Sequence, residues 1–244
     1  MSHKTLISGT AYEVVGGAQM IDGTKFQMGG GKTLLGGTAF TIPFAKGVPL
    51  STITPGAILY LNESGSPVPF YIAKHDYESG LNGAGRTLVV RKDCYDKRMF
   101  GYSGTYAGES LDKWTSETYV ALLDARVRTE MEKTTFYSNE ATIQRAAFQL
   151  SATEYGFPGG GMWTDEGTAL PIARTLRVAY RNGSKVAQWT RTKRGASFIC
   201  IIGSDGSLSM NGGFRDSYGS RPAFTLPEDL AVTANPDGTY TLAA

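Results

Sequence analysis

His3 and His75 are the two histidines in 244 residues, and neither stands in a pattern suited to acid–base work. His75 lies in Lys74-His75-Asp76, where successive strand residues face opposite sides, so the adjacent carboxylate is not placed to orient it. Cys94 and Cys200 are far apart and lack a CxxC spacing. Buried free thiols are expected, with a disulfide as the alternative. The doublets Asp165-Glu166 and Glu228-Asp229 supply carboxylates, and a glycosidase needs two of them about 5–10 Å apart, but acidic doublets usually stand in solvent. No nucleophile, base and ligand constellation assembles, so no catalytic residue, no metal and no cofactor is expected.

Binding needs less than catalysis: a rigid scaffold whose loops carry aromatic, Arg and amide groups. The stretch Asn211-Gly212-Gly213-Phe214-Arg215-Asp216-Ser217-Tyr218 has that composition. Asn211, Phe214, Arg215, Asp216 and Tyr218 are therefore candidate ligand contacts, with Arg194 and Trp163 bordering the same surface. The alternative is that Phe214 and Tyr218 are core aromatics. Arg191-Thr192-Lys193-Arg194 is the one cluster of positive charge and reads as a solvated loop. With 24 Lys and Arg against 22 Asp and Glu, the formal charge is +2, and the basic residues are scattered, which argues against a nucleic-acid partner.

The elements that must carry these residues are mostly short strands, since Gly at 31 of 244 exceeds the usual fraction of roughly 7% and implies many turns. Residues 57–61 and 68–73 read as strands around Ser64-Gly65, and Thr87–Val90 as a buried strand. Tyr119, Leu122, Leu123, Val127 and Met131 fall on one face of a helix predicted over 116–132, with Thr115 and Ser116 as cap candidates. A second helix is expected near 138–150. Antiparallel strands follow at 176–180, 186–189 and 197–202, with turns at Asn182-Gly183 and Ser204–Ser207, and a last hairpin turns at 235–238. No window approaches the run of about 18 apolar residues that spans a membrane. The first residues, MSHKTLISGTAYE, lack the apolar stretch of a signal peptide, so synthesis in a cytoplasm without membrane insertion is expected.

Residues 4–43 repeat themselves: KTLISGTAYEVVGG, AQMIDGTKFQMGGG and KTLLGGTAFTIP align with a period of 14. Each copy places an apolar residue (Leu6, Met20, Leu34) before a Gly-Thr and an aromatic (Tyr12, Phe26, Phe40). Ser8-Gly9, Asp22-Gly23 and Gly36-Gly37 read as tight hairpin turns. Such short strands bury too little apolar surface to stand alone. Residues 1–46 are thus expected to be an assembly segment whose apolar and aromatic row meets a partner, either the downstream domain or other proteins and symmetry copies.

Four strings further on occur in a specific order: Leu176-Arg177-Val178-Ala179-Tyr180-Arg181-Asn182-Gly183, Gln188-Trp189-Thr190-Arg191-Thr192, Gly203-Ser204-Asp205-Gly206, and Gly219-Ser220-Arg221-Pro222-Ala223-Phe224. They resemble the "RIAYLNG", "WWLRS", "SDGG" and "GIRPAL" motifs of a domain family common in phages and prophages of Firmicutes. Upstream, Leu88–Arg98 is similar to that family's "LLMKDIYEKR" and Leu150–Gly156 to its "LSxxEyG", and similar phage proteins carry "GKTLIGGTAY" repeats like Gly31–Phe40. The resemblance covers about 54–244. It implies an α+β, C-type-lectin-like domain over 54–244, preceded by the β-hairpin repeat of 1–46, in which Trp189 and Arg221 are scaffold and Arg221 is buried. The second tryptophan of "WWLRS" is Gln188 here and its Ser is Thr192. The Glu-Pro-Asn or Gln-Pro-Asp and Trp-Asn-Asp triplets of calcium-dependent sugar sites do not occur, so the resemblance implies no calcium mechanism. The cysteine pair of formylglycine-generating relatives has no counterpart either, as Cys200 stands alone.

These readings make the chain a non-enzymatic virion surface protein. Residues 1–46 would join it to capsid or tail proteins, as a homo-oligomer on the particle, and the lectin-like domain would bind a host-surface glycan or protein. A capsid-decoration or head-fibre role is the alternative, and a cell-envelope hydrolase a distant third.

Overall fold

The computed structural model describes residues 47–139, 141–195, 198–211 and 217–243, with only the backbone of Asn211. It also describes the backbone of 3–7, 10–15, 18–21, 24–27, 32–35 and 38–41. The chain divides into two compact units, Met1–Lys46 and Gly47–Ala244.

In the first unit β1 (His3–Ile7), β2 (Thr10–Val15), β3 (Ala18–Ile21) and β4 (Thr24–Gln27) pair antiparallel in that order, and β5 (Lys32–Leu35) pairs with β6 (Thr38–Thr41). The turn pairs 8–9, 22–23 and 36–37 lie outside the described residues, as do the side chains of Leu6, Tyr12, Met20, Phe26, Leu34 and Phe40.

The second unit starts earlier than the boundary at 54 read from the sequence. The reason is that β7 (Val48–Pro49) pairs with β21 (Ala231–Ala234) and Leu50 is fully buried. It is a mixed α+β domain, mostly sheet. Its larger sheet has the order β20-β10-β9-β8-β22-β21-β7, where β8 is Ile58–Glu63, β9 Ser66–Lys74, β10 Arg86–Arg91, β20 Ala223–Pro227 and β22 Tyr240–Leu242. The β8–β9 hairpin turns on Ser64 and Gly65, both at positive φ (51° and 78°), the geometry of a tight primed turn.

Both faces of this sheet are covered, and strand alternation decides which residue serves which core. Leu88 and Val90 of β10 join one apolar cluster with Trp189, Ile199, Ile201 and Ile202. Val89, Phe70, Ile72 and Phe224 join a second cluster with Trp114, Tyr119, Leu123 and Val127. The first cluster lies against the smaller sheet, β11-β19-β16-β17-β18, made of β11 (Asp96–Met99), β16 (Gln188–Arg194), β17 (Phe198–Ile202), β18 (Leu208–Asn211) and β19 (Ser217–Ser220). Two hairpins, β12 (Thr134–Ser138) with β13 (Ala141–Arg145) and β14 (Ala179–Arg181) with β15 (Ser184–Val186), complete the strands.

The helix predicted over 116–132 is several short pieces. After α1 (Ser79–Asn82), the run begins with α2 (Ser110–Lys113), widens to a π-helix at Trp114–Tyr119, and continues as α3 (Val120–Leu122). It stops at the extended residue Leu123 and restarts as α4 (Ala125–Glu130), which Asp124 caps through Arg126 N–H at 2.8 Å. Thr115 and Ser116 are not caps, because they lie inside the run and donate to the carbonyls of Leu111 and Asp112. The predicted apolar face still points inward. Among the described residues of 138–150 none is helical: Asn139 at φ 47° turns the chain and Phe136, fully buried, fixes the face of the β12–β13 hairpin. Leu176 belongs to α5 (Ala173–Leu176) and not to a strand. No helix among the described residues is long and apolar enough to cross a membrane.

Candidate binding surface

Strand β16 positions the site from the inside. Arg191 and Thr192, which read as part of a solvated loop, are buried, and the correction has a clear cause. The Arg191 guanidinium donates to Glu154 Oε2 at 2.7 Å, to the Gln149 carbonyl at 2.9 Å and to the Tyr137 carbonyl at 2.9 Å, and it lies over the Phe136 ring. Tyr77 donates to the other oxygen of Glu154 at 2.5 Å. Burial, reinforced by that carboxylate, holds the Tyr77 phenol far above its ordinary range. A buried charge is tolerated only when paired and hydrogen-bonded, and these partners meet both conditions.

Glu166, expected to stand in solvent, is also buried. Its carboxylate accepts from Thr192 Oγ1 at 2.7 Å and from Asn139 N–H at 2.6 Å, and lies 3.8 Å from Arg191 Nε. Burial raises its pKa above the usual carboxylate value, against the pull of Arg191. Glu166 and Asp165 together fasten the loop that precedes them. Asp165 Oδ1 accepts from Gly159 N–H at 2.8 Å and Thr153 Oγ1 at 2.9 Å, while Met162 N–H donates to the Gly159 carbonyl at 2.9 Å. Gly160 and Gly161 at φ 54° and 86° make this turn in a region that L side chains avoid. The turn presents Met162 and Trp163.

Further along β16, Arg194 faces Phe198 across the β16–β17 ladder, and Cys200 faces Met210 across β17–β18. Ile199, Ile201 and Ile202 belong to the core cluster, and only Phe198, at the start of β17, is left exposed. Arg194 donates through Nη2 to Met162 Sδ at 3.2 Å and through Nη1 to Met210 Sδ, and its guanidinium stands 5.9 Å from the Trp163 ring centroid. Met162, Phe198 and Met210 are 52%, 49% and 43% exposed. Two methionines, a phenylalanine, a tryptophan and an arginine thus share one outward surface, a composition typical of protein-binding patches.

Of the residues expected at the site, Trp163 and Arg194 are brought together. Tyr218 is half-buried, and its ring packs edge-on against the buried Trp189 at 4.8 Å. Phe214, Arg215 and Asp216 lie outside the described residues, as does the side chain of Asn211. Met162, Phe198 and Met210 were not legible beforehand, because exposure of an apolar side chain depends on which strand face the core covers.

The remaining reactive groups serve the scaffold. Both ring nitrogens of His75 are engaged, with Thr87 Oγ1 and the Ile53 carbonyl, each at 2.7 Å. Cys94 and Cys200 are buried free thiols, pushed up by burial to about 11 and about 12. Arg221 is buried and donates to the carbonyls of Arg91, Lys92 and Leu176. Trp189 Nε1 donates to the Arg98 carbonyl at 2.7 Å. Gln188, in place of the tryptophan of similar strings, accepts from Tyr155 Oη at 2.9 Å.

The profile of a family described as Domain of unknown function (DUF6273) matches residues 84–228, more than half of the chain. No curated protein and no solved structure matches it.

Proposed function

We propose that this chain, which belongs to the DUF6273 family, is a non-enzymatic virion surface protein. In this reading a C-type-lectin-like domain over the second unit binds a host-surface ligand, and the period-14 hairpin repeat of residues 1–46 holds it on capsid or tail. One observation carries the binding role: Met162, Trp163, Arg194, Phe198 and Met210 gather on the outside of the smaller sheet, on a loop and strand locked from within by Arg191, Glu154 and Glu166. Rigid support under a few exposed anchors is what recognition requires. Glu154 and Glu166 serve this internal frame. The phage setting and the lectin-like identity rest on the four ordered motifs.

Antibody labelling of particles, viewed by electron microscopy, tests the reading. The protein should appear on intact virions, and a chain lacking residues 2–46 should be folded and soluble but absent from them. Unlabelled particles, or normal incorporation of the truncated chain, would overturn it. Label confined to a tail tip supports the adhesin form, and label spread over the capsid with no host-cell binding replaces it with decoration.

A further inference from the structure

Arg194 holds its guanidinium against two thioether sulfurs and an indole ring. Sulfur is a weak acceptor, and among the described residues no carboxylate pairs with Arg194. Other arginines have oxygen acceptors: Arg91, Arg145 and Arg191 pair with Glu63, Asp112 and Glu154, and Arg221 and Arg177 donate to backbone carbonyls. The indole N–H of Trp163 is likewise buried without an acceptor among the described residues. Arg194 therefore sits at the centre of an exposed apolar surface with only poor acceptors around it.

We infer that this surface takes an acidic protein segment, one in which a carboxylate is presented beside apolar side chains. The inference rests on the binding role proposed above and names its partner. The carboxylate would replace the sulfurs as acceptor for Arg194, whose planar fork matches it bidentately. Met162, Met210 and Phe198 would cover the flanking apolar groups, since unbranched thioethers adapt their shape to what they meet. A glycan fits this surface less well. Sugar recognition needs an open aromatic face and a ring of polar acceptors and donors, whereas one face of Trp163 is taken by Arg194 and the five side chains include no amide or carboxylate.

The full-length protein, labelled with carbon-13 on its methionine methyls, provides the test. The probe is a short synthetic peptide alternating Asp with Phe and Leu. The Met162 and Met210 methyl signals should shift saturably, and Arg194→Met, with an unchanged melt, should weaken binding at least about tenfold, the loss expected when a charge-assisted bond goes. The inference fails if the same peptide with Asn for Asp binds equally, if Arg194→Met binds as tightly as the parent, or if only an oligogalacturonate moves the two methyls. It also fails if the Met162 and Met210 methyl signals move on dilution of the ligand-free protein, which would show the surface closed by a second copy. A protein that binds the Asp peptide but is missing from particles refutes the virion reading alone. One that sits on particles but ignores the peptide refutes this inference alone.

Discussion

Replacing Arg191 by Met probes the frame beneath the binding surface, because it keeps an unbranched apolar stem while removing the guanidinium and its charge. The Arg191 and Glu154 side chains are both 0% exposed and 2.7 Å apart. The substitution leaves Glu154 as a buried carboxylate with the Tyr77 hydroxyl and Ser151 N–H as neutral donors, and it strips the Gln149 and Tyr137 carbonyls of a donor. Breaking a buried pair in this way costs about 3–5 kcal/mol. For a domain of this size each kcal/mol lowers Tm by about 2–4 °C, so Tm should fall by roughly 6–20 °C. Intrinsic fluorescence in a urea or thermal melt is a suitable assay, since Trp114, Trp163 and Trp189 all belong to the second unit. Adding Glu154→Gln should recover part of the loss by removing the stranded charge. A cost below about 1 kcal/mol, the range of a solvent-exposed ion pair, would refute the claim that this pair supports the loop and strand.

Glu166 has a folded pKa raised by burial, so its stability contribution is complete below the unfolded carboxylate value and is lost as pH rises through the folded one. Glu166→Gln should therefore gain stability relative to the parent as pH rises out of the carboxylate range, and a difference independent of pH would contradict this. Cys94 and Cys200, with thiol pKa values of about 11 and about 12, should resist iodoacetamide in the native protein at mildly alkaline pH and react fully in urea. Rapid native labelling would show an open thiol. Gly219→Ala places a Cβ 2.5 Å from Cys94 Sγ and 3.1 Å from the Ala187 carbonyl. It should cost about 1–3 kcal/mol in a denaturant titration, with partial recovery on adding Cys94→Ala, and a neutral result would mean that β19 shifts freely.

Local patterns were legible where local chemistry decides the outcome. The Ser64-Gly65 and Asn182-Gly183 turns, the buried strand at 87–90 and the inward face of Tyr119, Leu123 and Val127 follow from residue type and periodicity. The helix run was misread as continuous because its break depends on Leu123 bridging to Glu63 in β8, a contact invisible to a local window. Residues 141–145 became a strand because Thr134 to Ser138 lie opposite them, and pairing of that kind overrides weak helical spacing. Arg191 illustrates the same limit for charge. Beside Lys193 and Arg194 it looks solvated, and only the fold brings it Glu154 and Glu166 from distant positions. Trp163 and Arg194 were placed on one surface from the sequence, but the methionines and Phe198 that complete it are defined by what the two sheets leave uncovered.

The central claim is that the surface around Trp163 and Arg194 binds a host structure. Adsorption of the purified full-length protein to cells of the bacterium that carries its gene, measured by flow cytometry, tests it most directly. The parent protein should bind saturably, and Trp163→Ala with Arg194→Ala should lower affinity at least about tenfold with the melt preserved, as expected when an interface loses its anchors. Equal binding by parent and variant would contradict the account.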